Sequence, residues 1–353
     1  MTLTSIAAMP QNAPSATPMM GAPIVELRGI SRRFGKTPDL IDRAAISLGL
    51  AKPPPVVRAI DDVDLSIAKG EVVGLVGESG CGKSTLGRVV AGILPPSSGQ
   101  VFWNGRAIDT LPAAERRAGA LRTQMVFQNP FASINPRLPI SEVVGEAPRI
   151  HGLIKGGRSA QAAYVDEQLR RAGLDPSLKE RYVHQFSGGQ RQRIGIARAL
   201  AVQPDMLVCD EAVAALDVSI QAQILNLFMD LRETLDLTYL FISHDLGVVE
   251  HLSDRVAIMY LGRIIEEAPT EEIFGRPNHP YTQALLEEVP RIETTKRAFS
   301  SLKGELPSPL HPPSGCHFHP RCPHAFDRCK VERPALKTIA SKHKSACHLN
   351  EQL

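Results

Sequence analysis

The chain lacks any apolar run approaching the ~18 residues that a membrane-crossing helix needs. It also lacks an early basic cluster: the first basic residue is Arg28, so the start does not open like a secretory signal. Charge of one sign is missing as well, since 40 basic residues face 37 acidic ones for a formal +3. No whole-chain field therefore favours nucleic acid, and any anion must be bound locally. No internal repeat is visible. Cysteine is scarce, six in 353 residues, yet four of the six fall in the last forty. These absences point to a cytosolic protein, whose thiols stay reduced rather than pairing. A length of 353 residues, 43% of them hydrophobic, suffices for one large core or two smaller ones.

Residues 1–22, low in charge and rich in Ala, Pro, Ser and Thr, are expected to form a disordered leader. "IVELRGISRRFG" then alternates like a strand, and the pattern resumes after "LAKPPPVV" in "RAIDDVDLSIAKGEVVGLVG". Residues from about 129 to 190 read as helical and polar. "DMLVCDE" and "LTYLFISHD" are short apolar runs ending in polar groups, the pattern of buried parallel strands. Prolines accumulate over about 275–315 and mark the tail as a separate unit.

"GLVGESGCGKSTLGR", residues 74–88, fits GxxxxGKS from Gly77 through Glu78, Ser79, Gly80, Cys81, Gly82 and Lys83 to Ser84, with Thr85 following. Glycines let backbone amides turn inward around phosphate oxygens. Lys83 supplies a point charge, Ser84 a magnesium ligand, and the helix opening here adds its N-terminal partial charge. Asp210, ending the strand "MLVCD", is placed to hold magnesium, and Glu211 to polarise an attacking water. "QFSGGQRQRIGIARAL", residues 185–200, puts Ser187, Gly188, Gly189 and Gln190 at the start of a helix carrying Arg191, Arg193 and Arg198. This reads as a second phosphate cradle. One nucleotide hardly needs two cradles, so two such domains are expected head to tail, each serving the other's nucleotide.

In this order the motifs resemble those of the ATP-binding subunits of ABC transporters, over about residues 23–353. "FSGGQRQR" resembles the family signature, "MVFQNP" its glutamine loop with Gln128, "AALD" its D-loop with Asp217, and "FISHD" its switch histidine, His244. The resemblance implies that Gln128 senses magnesium and the membrane partner, that His244 contacts the terminal phosphate, and that Phe34 stacks on adenine. It implies an α/β P-loop fold: a mixed sheet with a RecA-like core over residues 23–275, a helical subdomain at about 129–190, and a small cysteine-rich extension over 276–353. "QNPFASINPR", "ALDVSIQAQILNLF", "RVAIMYLGRIIE" and "HPYTQALL" resemble the oligopeptide and dipeptide importer branch, specifically its F-type subunit. That branch pairs an F-type with a D-type ATP-binding subunit beneath two transmembrane permeases, fed by an external binding protein, at the cytoplasmic face of the inner membrane. Two positions depart from the family: Ala212, usually proline, and Ala214, usually serine. The lost hydroxyl at 214 would weaken communication between the paired sites.

The tail cysteines are Cys316, Cys322, Cys329 and Cys347, at intervals of 6, 7 and 18 positions. Four clustered thiols in a reducing compartment favour a metal over disulfides. An iron-sulfur cluster suits four thiolates. Zinc is the alternative, with His317, His319, His324 and His348 nearby, but none of the intervals is as short as the usual zinc clip. An unmetallated, packed tail is a third option. The importer branch resembled here implies a [4Fe-4S] cluster. Cys81 and Cys209 receive no chemistry, although a place in an exposed loop would leave Cys81 modifiable.

The expected activity is hydrolysis of ATP with Mg2+, powering peptide import. Nickel chelates, glutathione and peptide-like compounds are alternative cargoes. A soluble ATPase of DNA repair or translation is the rival class. The stretch between Gly77 and Asp210 shows no heptad pattern, unlike the coiled coil separating the nucleotide halves of the repair class.

Overall fold

In a computed structural model, residues 23–35, 39, 46, 48–50, 52, 54–288 and 304–351 are described. The leader read over 1–22 lies outside them. Alternation along Val25–Phe34 (β1) and Val57–Ile67 (β2) turns Val25, Leu27 and Ile30 into the same core as Ile60, Val63, Leu65 and Ile67. The two strands pair antiparallel, with Val25 opposite Ile67. The chain then enters a second sheet through Val72–Val76 (β3), forms the helix Lys83–Val90 (α1), and returns to the first sheet with Ser98–Trp103 (β4) and Arg106–Ala107 (β5). That first sheet is four-stranded, in the order β2-β1-β4-β5.

The second sheet is built from continuous apolar runs. After Ala113–Arg122 (α2) come Thr123–Val126 (β6), Met206–Asp210 (β7) and Thr238–Ile242 (β8). All five residues of β3, β7 and β8 are buried, as expected for parallel strands covered on both faces. The strands β3, β8, β7 and β6 are adjacent and parallel. Their carboxyl ends consequently open on one edge, where open α/β sheets place their ligands.

Between β6 and β7 lie Pro130–Ser133 (α3), Ile140–Ile150 (α4), Arg158–Arg171 (α5) and Gly188–Leu200 (α6). Ile140, Val144, Val165, Leu169 and Ile194 from these helices share one core. Helices Val218–Leu235 (α7) and Leu246–Leu252 (α8) flank β8 in sequence. No helix of the described residues is long and apolar enough to cross a membrane.

Arg255–Tyr260 (β9) pairs parallel with β3, and Arg263–Pro269 (β10) pairs antiparallel with β9. Thr270–Gly275 (α9) and Pro280–Glu287 (α10) follow, then Asp327–Val331 (α11) and the hairpin Lys337–Ala340 (β11) and His343–Ser345 (β12). The tail, read from its composition as a separate unit, is joined to the main sheet: β12 pairs with β10, Glu266 opposite Ser345. The sheet therefore has eight strands, β11-β12-β10-β9-β3-β8-β7-β6, and the hairpin occupies what would be an unpaired edge. Glu266, fully buried, accepts bonds from the amides of Asn278 and His279 at 2.7 and 2.9 Å and meets His343 Nε2 at 2.7 Å. Phe318 packs its ring against Tyr260 and Tyr281, with centroids 5.4 Å apart in each case.

Candidate nucleotide site

The loop after β3 turns where only glycine fits. Gly77 has φ +157°, and a Cβ there would lie 2.1 Å from the Met259 carbonyl oxygen. Gly82, at φ +111°, would bring a Cβ within 2.2 Å of the Ala59 carbonyl oxygen. Gly82 also caps α1 without a side-chain bond, leaving amides at the helix start for an anion. Lys83 is buried, and its Nζ donates to the carbonyls of Gly77 at 2.6 Å and Glu78 at 3.0 Å. Ser79 and Gly80 are exposed at the loop crest, and Thr85 is half-buried on α1. Cys81 corrects the sequence reading: its side chain is buried beneath the loop, close to Gly77, and burial pushes the thiol pKa up. It is neither exposed nor activated for modification.

The carboxylates converge on the same edge. Ser84 Oγ donates to Asp210 Oδ1 at 2.7 Å, joining α1 to the end of β7. Burial raises the Asp210 pKa, against the lowering effect of the Ser84 hydroxyl, Arg88 and Lys83. Glu211 follows at φ +49°, a left-handed conformation that turns its side chain away from that of Asp210. Its Oε2 accepts from Gln128 Nε2 at 2.7 Å, and its Oε1 lies 3.5 Å from His244 Nδ1. Five residues from three strand ends and one helix, Ser84, Gln128, Asp210, Glu211 and His244, thus form one linked set. Phe34 stands apart from it at the end of β1, its ring exposed and faced by the Arg32 guanidinium at 4.8 Å.

The second cradle lies elsewhere. Ser187 caps α6 in a reciprocal capping box with Gln190: Ser187 Oγ accepts the Gln190 amide, and Gln190 Oε1 accepts the Ser187 amide at 3.1 Å. A Cβ at Gly189 would meet Ile220 Cγ2 at 2.4 Å, so α6 and α7 approach closely there. Asp217 precedes α7, exposed and making no cap bond. Among the described residues no hydrogen bond or ion pair links Ser187, Gly188, Gly189, Gln190 or Asp217 to the loop at 77–84. The arginines of α6 bind backbone carbonyls away from the cradle. Arg191 binds the Val183 carbonyl at 3.1 Å, Arg193 that of Ala172 at 3.0 Å, and Arg198 that of Ser133. They tie the helical subdomain together. Ala212 is buried and Ala214 exposed.

All six cysteines are free thiols. Cys316, Cys322, Cys329 and Cys347 line one small pocket together with His279, His319, His324 and His348. Burial pushes the thiols of Cys316 and Cys347 up to about 11 and raises Cys322. His319 Nδ1 lies 2.9 Å from the Cys316 carbonyl and His348 Nε2 3.0 Å from that of Glu332. His317 lines a different cavity, and burial lowers its pKa to about 4. Among the described residues no group of three or more His, Cys, Asp or Glu is placed to hold a metal ion.

A P-loop lysine, a serine bonded to a strand-end aspartate, and a glutamate beside a glutamine and a histidine define a P-loop ATPase. The comparisons narrow the class. Residues 60–214 match the model of the ABC transporter family, and 265–329 match the oligopeptide/dipeptide transporter C-terminal region. The chain is 47% identical to the oligopeptide transport ATP-binding protein AppF of Bacillus subtilis, over 92% of this chain and 97% of that one. It is 45% identical to a putative peptide import ATP-binding protein of Brucella ovis, over 93% and 98%. Among solved structures, the ATP-binding cassette MJ0796, in a dimeric post-hydrolysis state bound to ADP and Pi, superposes with a TM-score of 0.59 at 25% identity, over 70% of this chain and 98% of that one. The chain belongs to the family of ATP-binding subunits of ABC transporters, and its reaction is ATP hydrolysis.

Sequence reasoning missed two residues that grip the P-loop from outside. Tyr281 Oη accepts the Glu78 amide at 3.0 Å, and Arg321 pairs with the Glu78 carboxylate. "HPYTQALL" drew attention to Tyr281 only as a branch marker.

Proposed function

We propose that the chain powers import of di- and oligopeptides, as an F-type subunit in a head-to-tail dimer with a D-type ATP-binding subunit beneath two permeases, at the cytoplasmic face of the inner membrane. The observation that carries the reading is the match of residues 265–329 to the oligopeptide/dipeptide transporter C-terminal region. The names of the relatives, an oligopeptide transport and a putative peptide import ATP-binding protein, agree with it. In this reading residues 23–275 are the ATP-binding domain and 276–353 the extension. Residues 289–303 of that extension lie outside the described residues.

Within the site, Lys83 and the loop of residues 77–85 take the phosphates, Phe34 the adenine, and Ser84, Asp210 and Gln128 the magnesium. That ion supplies charge neutralisation on the outer phosphates. Glu211 orients and polarises the attacking water, and His244 contacts the terminal phosphate. Ser187, Gly188, Gly189, Gln190 and Asp217 serve the nucleotide of the partner subunit. Support comes from their position: the capping box shapes the helix start, while among the described residues no bond draws these residues to the loop of their own chain.

For the tail we propose a [4Fe-4S] cluster held by Cys316, Cys322, Cys329 and Cys347 rather than zinc. Four thiols on one pocket supply the donor chemistry. Zinc is the less favoured group because none of the cysteine intervals, 6, 7 and 18 positions, is as short as the usual zinc clip. Two experiments test these proposals. Deleting the gene should abolish uptake of labelled di- and tripeptides; intact peptide uptake with loss of nickel or glutathione uptake would reassign the cargo. Anaerobic purification with the partner subunits should give iron with equal sulfide, and zinc without sulfide would reject the cluster.

A further inference from the structure

We propose that Arg321, in the cysteine-rich extension, is a positioning residue for the P-loop: it neutralises and holds the Glu78 carboxylate beside the triphosphate site. The proposal rests on the ATP site described above. Arg321 Nη1 donates to Glu78 Oε2 at 2.7 Å and Nη2 to Oε1 at 2.9 Å, across 243 positions of sequence. Such a fork is the strongest and most directional form of a carboxylate pair. The arginine side chain is 5% exposed and that of the glutamate 23%, so solvent screens the pair less than a surface ion pair.

Further contacts make the pair mechanical as well as electrostatic. The Glu78 amide donates to Tyr281 Oη at 3.0 Å, so its backbone is held from the same side as its side chain. The Glu78 carbonyl accepts Lys83 Nζ at 3.0 Å, so what fixes residue 78 also fixes a resting place of the P-loop lysine. The segment bearing Arg321 is anchored by Phe318, whose ring packs on Tyr260 and Tyr281; Tyr260 Oη itself lies 3.5 Å from Arg321 Nη1.

Glu78 places a negative charge in a loop whose amides, lysine and helix end all favour a polyanion. Unpaired, that carboxylate would repel the triphosphate; paired with Arg321, it is neutral overall. The readout is the Kd for Mg-ATP of the full-length chain purified with its partner subunits. Arg321→Gln should raise it about tenfold, and adding Glu78→Gln should bring it back to within about twofold, because a neutral pair repels nothing. A purely structural arginine predicts no such rescue.

Wild-type affinity in Arg321→Gln, or a double variant as weak as the single one, would overturn the proposal. Should Arg321→Gln fail to fold, the double variant is compared with the unsubstituted complex: a Kd within about twofold supports the proposal, and one weakened about tenfold overturns it. Failure of the unsubstituted complex to bind ATP would remove the site and the proposal together. Normal binding by the unsubstituted complex with unaltered binding by Arg321→Gln removes the proposal alone.

Discussion

Gln128 Nε2 donates to Glu211 Oε2 at 2.7 Å, across 83 positions of sequence, and His244 Nδ1 stands 3.5 Å from the other oxygen of the same carboxylate. Glu211 is thus held at the meeting point of the segments after β6, β7 and β8. Its neighbour Asp210 is engaged separately by Ser84. Two adjacent carboxylates have different partners because the left-handed backbone at Glu211 turns its side chain to another side.

The first prediction separates those two carboxylates. Glu211→Gln keeps the size and the hydrogen-bonding reach but removes the group that polarises water. Loss of a general base costs about 10²–10⁴ in rate. Phosphate release should fall by that factor while ATP binding, measured by equilibrium dialysis, stays close to wild type. Hydrolysis at the normal rate would reject the role assigned to Glu211.

Much of this site was legible because its chemistry is local in sequence. The P-loop is eight consecutive residues, and Asp210 and Glu211 end a strand whose apolar run announces it. The meeting of Gln128, Glu211 and His244 follows from parallel strands that release their chains at one edge, which family resemblance supplied and spacing alone could not. What escaped depends on side-chain direction. Arg191, Arg193 and Arg198 each find a backbone carbonyl within the helical subdomain, which their spacing along α6 does not reveal. Cys81 looked exposed because loops usually are, yet this loop wraps its thiol inward. The Arg321–Glu78 pair had no sequence signal, since no spacing relates residues 243 positions apart. The tail hairpin was similarly hidden, because its register on β10 is set by an edge that needs covering rather than by its own composition.

A second prediction concerns the loop's backbone. Gly77→Ala would place a methyl group 2.1 Å from the Met259 carbonyl oxygen of β9, where no flexible side chain can yield. The loop must move, and with it the carbonyl that receives Lys83. ATP binding should be lost at concentrations saturating for the wild type, with the thermal midpoint lowered by several degrees, an effect of about 1–3 kcal/mol. Gly80→Ala is the control for space: nothing lies within 4 Å of a Cβ there, and only its φ of +82° opposes the change. It should cost about 1 kcal/mol and retain ATP binding. Equal behaviour of the two variants would show that close approach to β9 is not what requires Gly77.

The third prediction is a pH dependence at the join between sheet and tail. His279 is almost fully buried at the start of α10, and its Nδ1 accepts the Tyr281 amide at 3.0 Å, an N-cap made by a neutral imidazole. Burial lowers its pKa from 6.5 to about 3. Above pH 6.5 the ring is neutral in both folded and unfolded chains, so its contribution is fully present. Between 6.5 and 3 the unfolded chain takes up a proton that the folded one refuses, and stability falls with pH by at most about 1.4 kcal/mol per unit from this group. His279→Asn retains a good capping side chain and removes the titration. Urea unfolding at pH 7.5 and 5.5 should therefore show a pH-dependent loss smaller in the variant by about 1 kcal/mol. Identical losses in the two proteins would place the acid sensitivity in other groups and leave His279 as a cap alone.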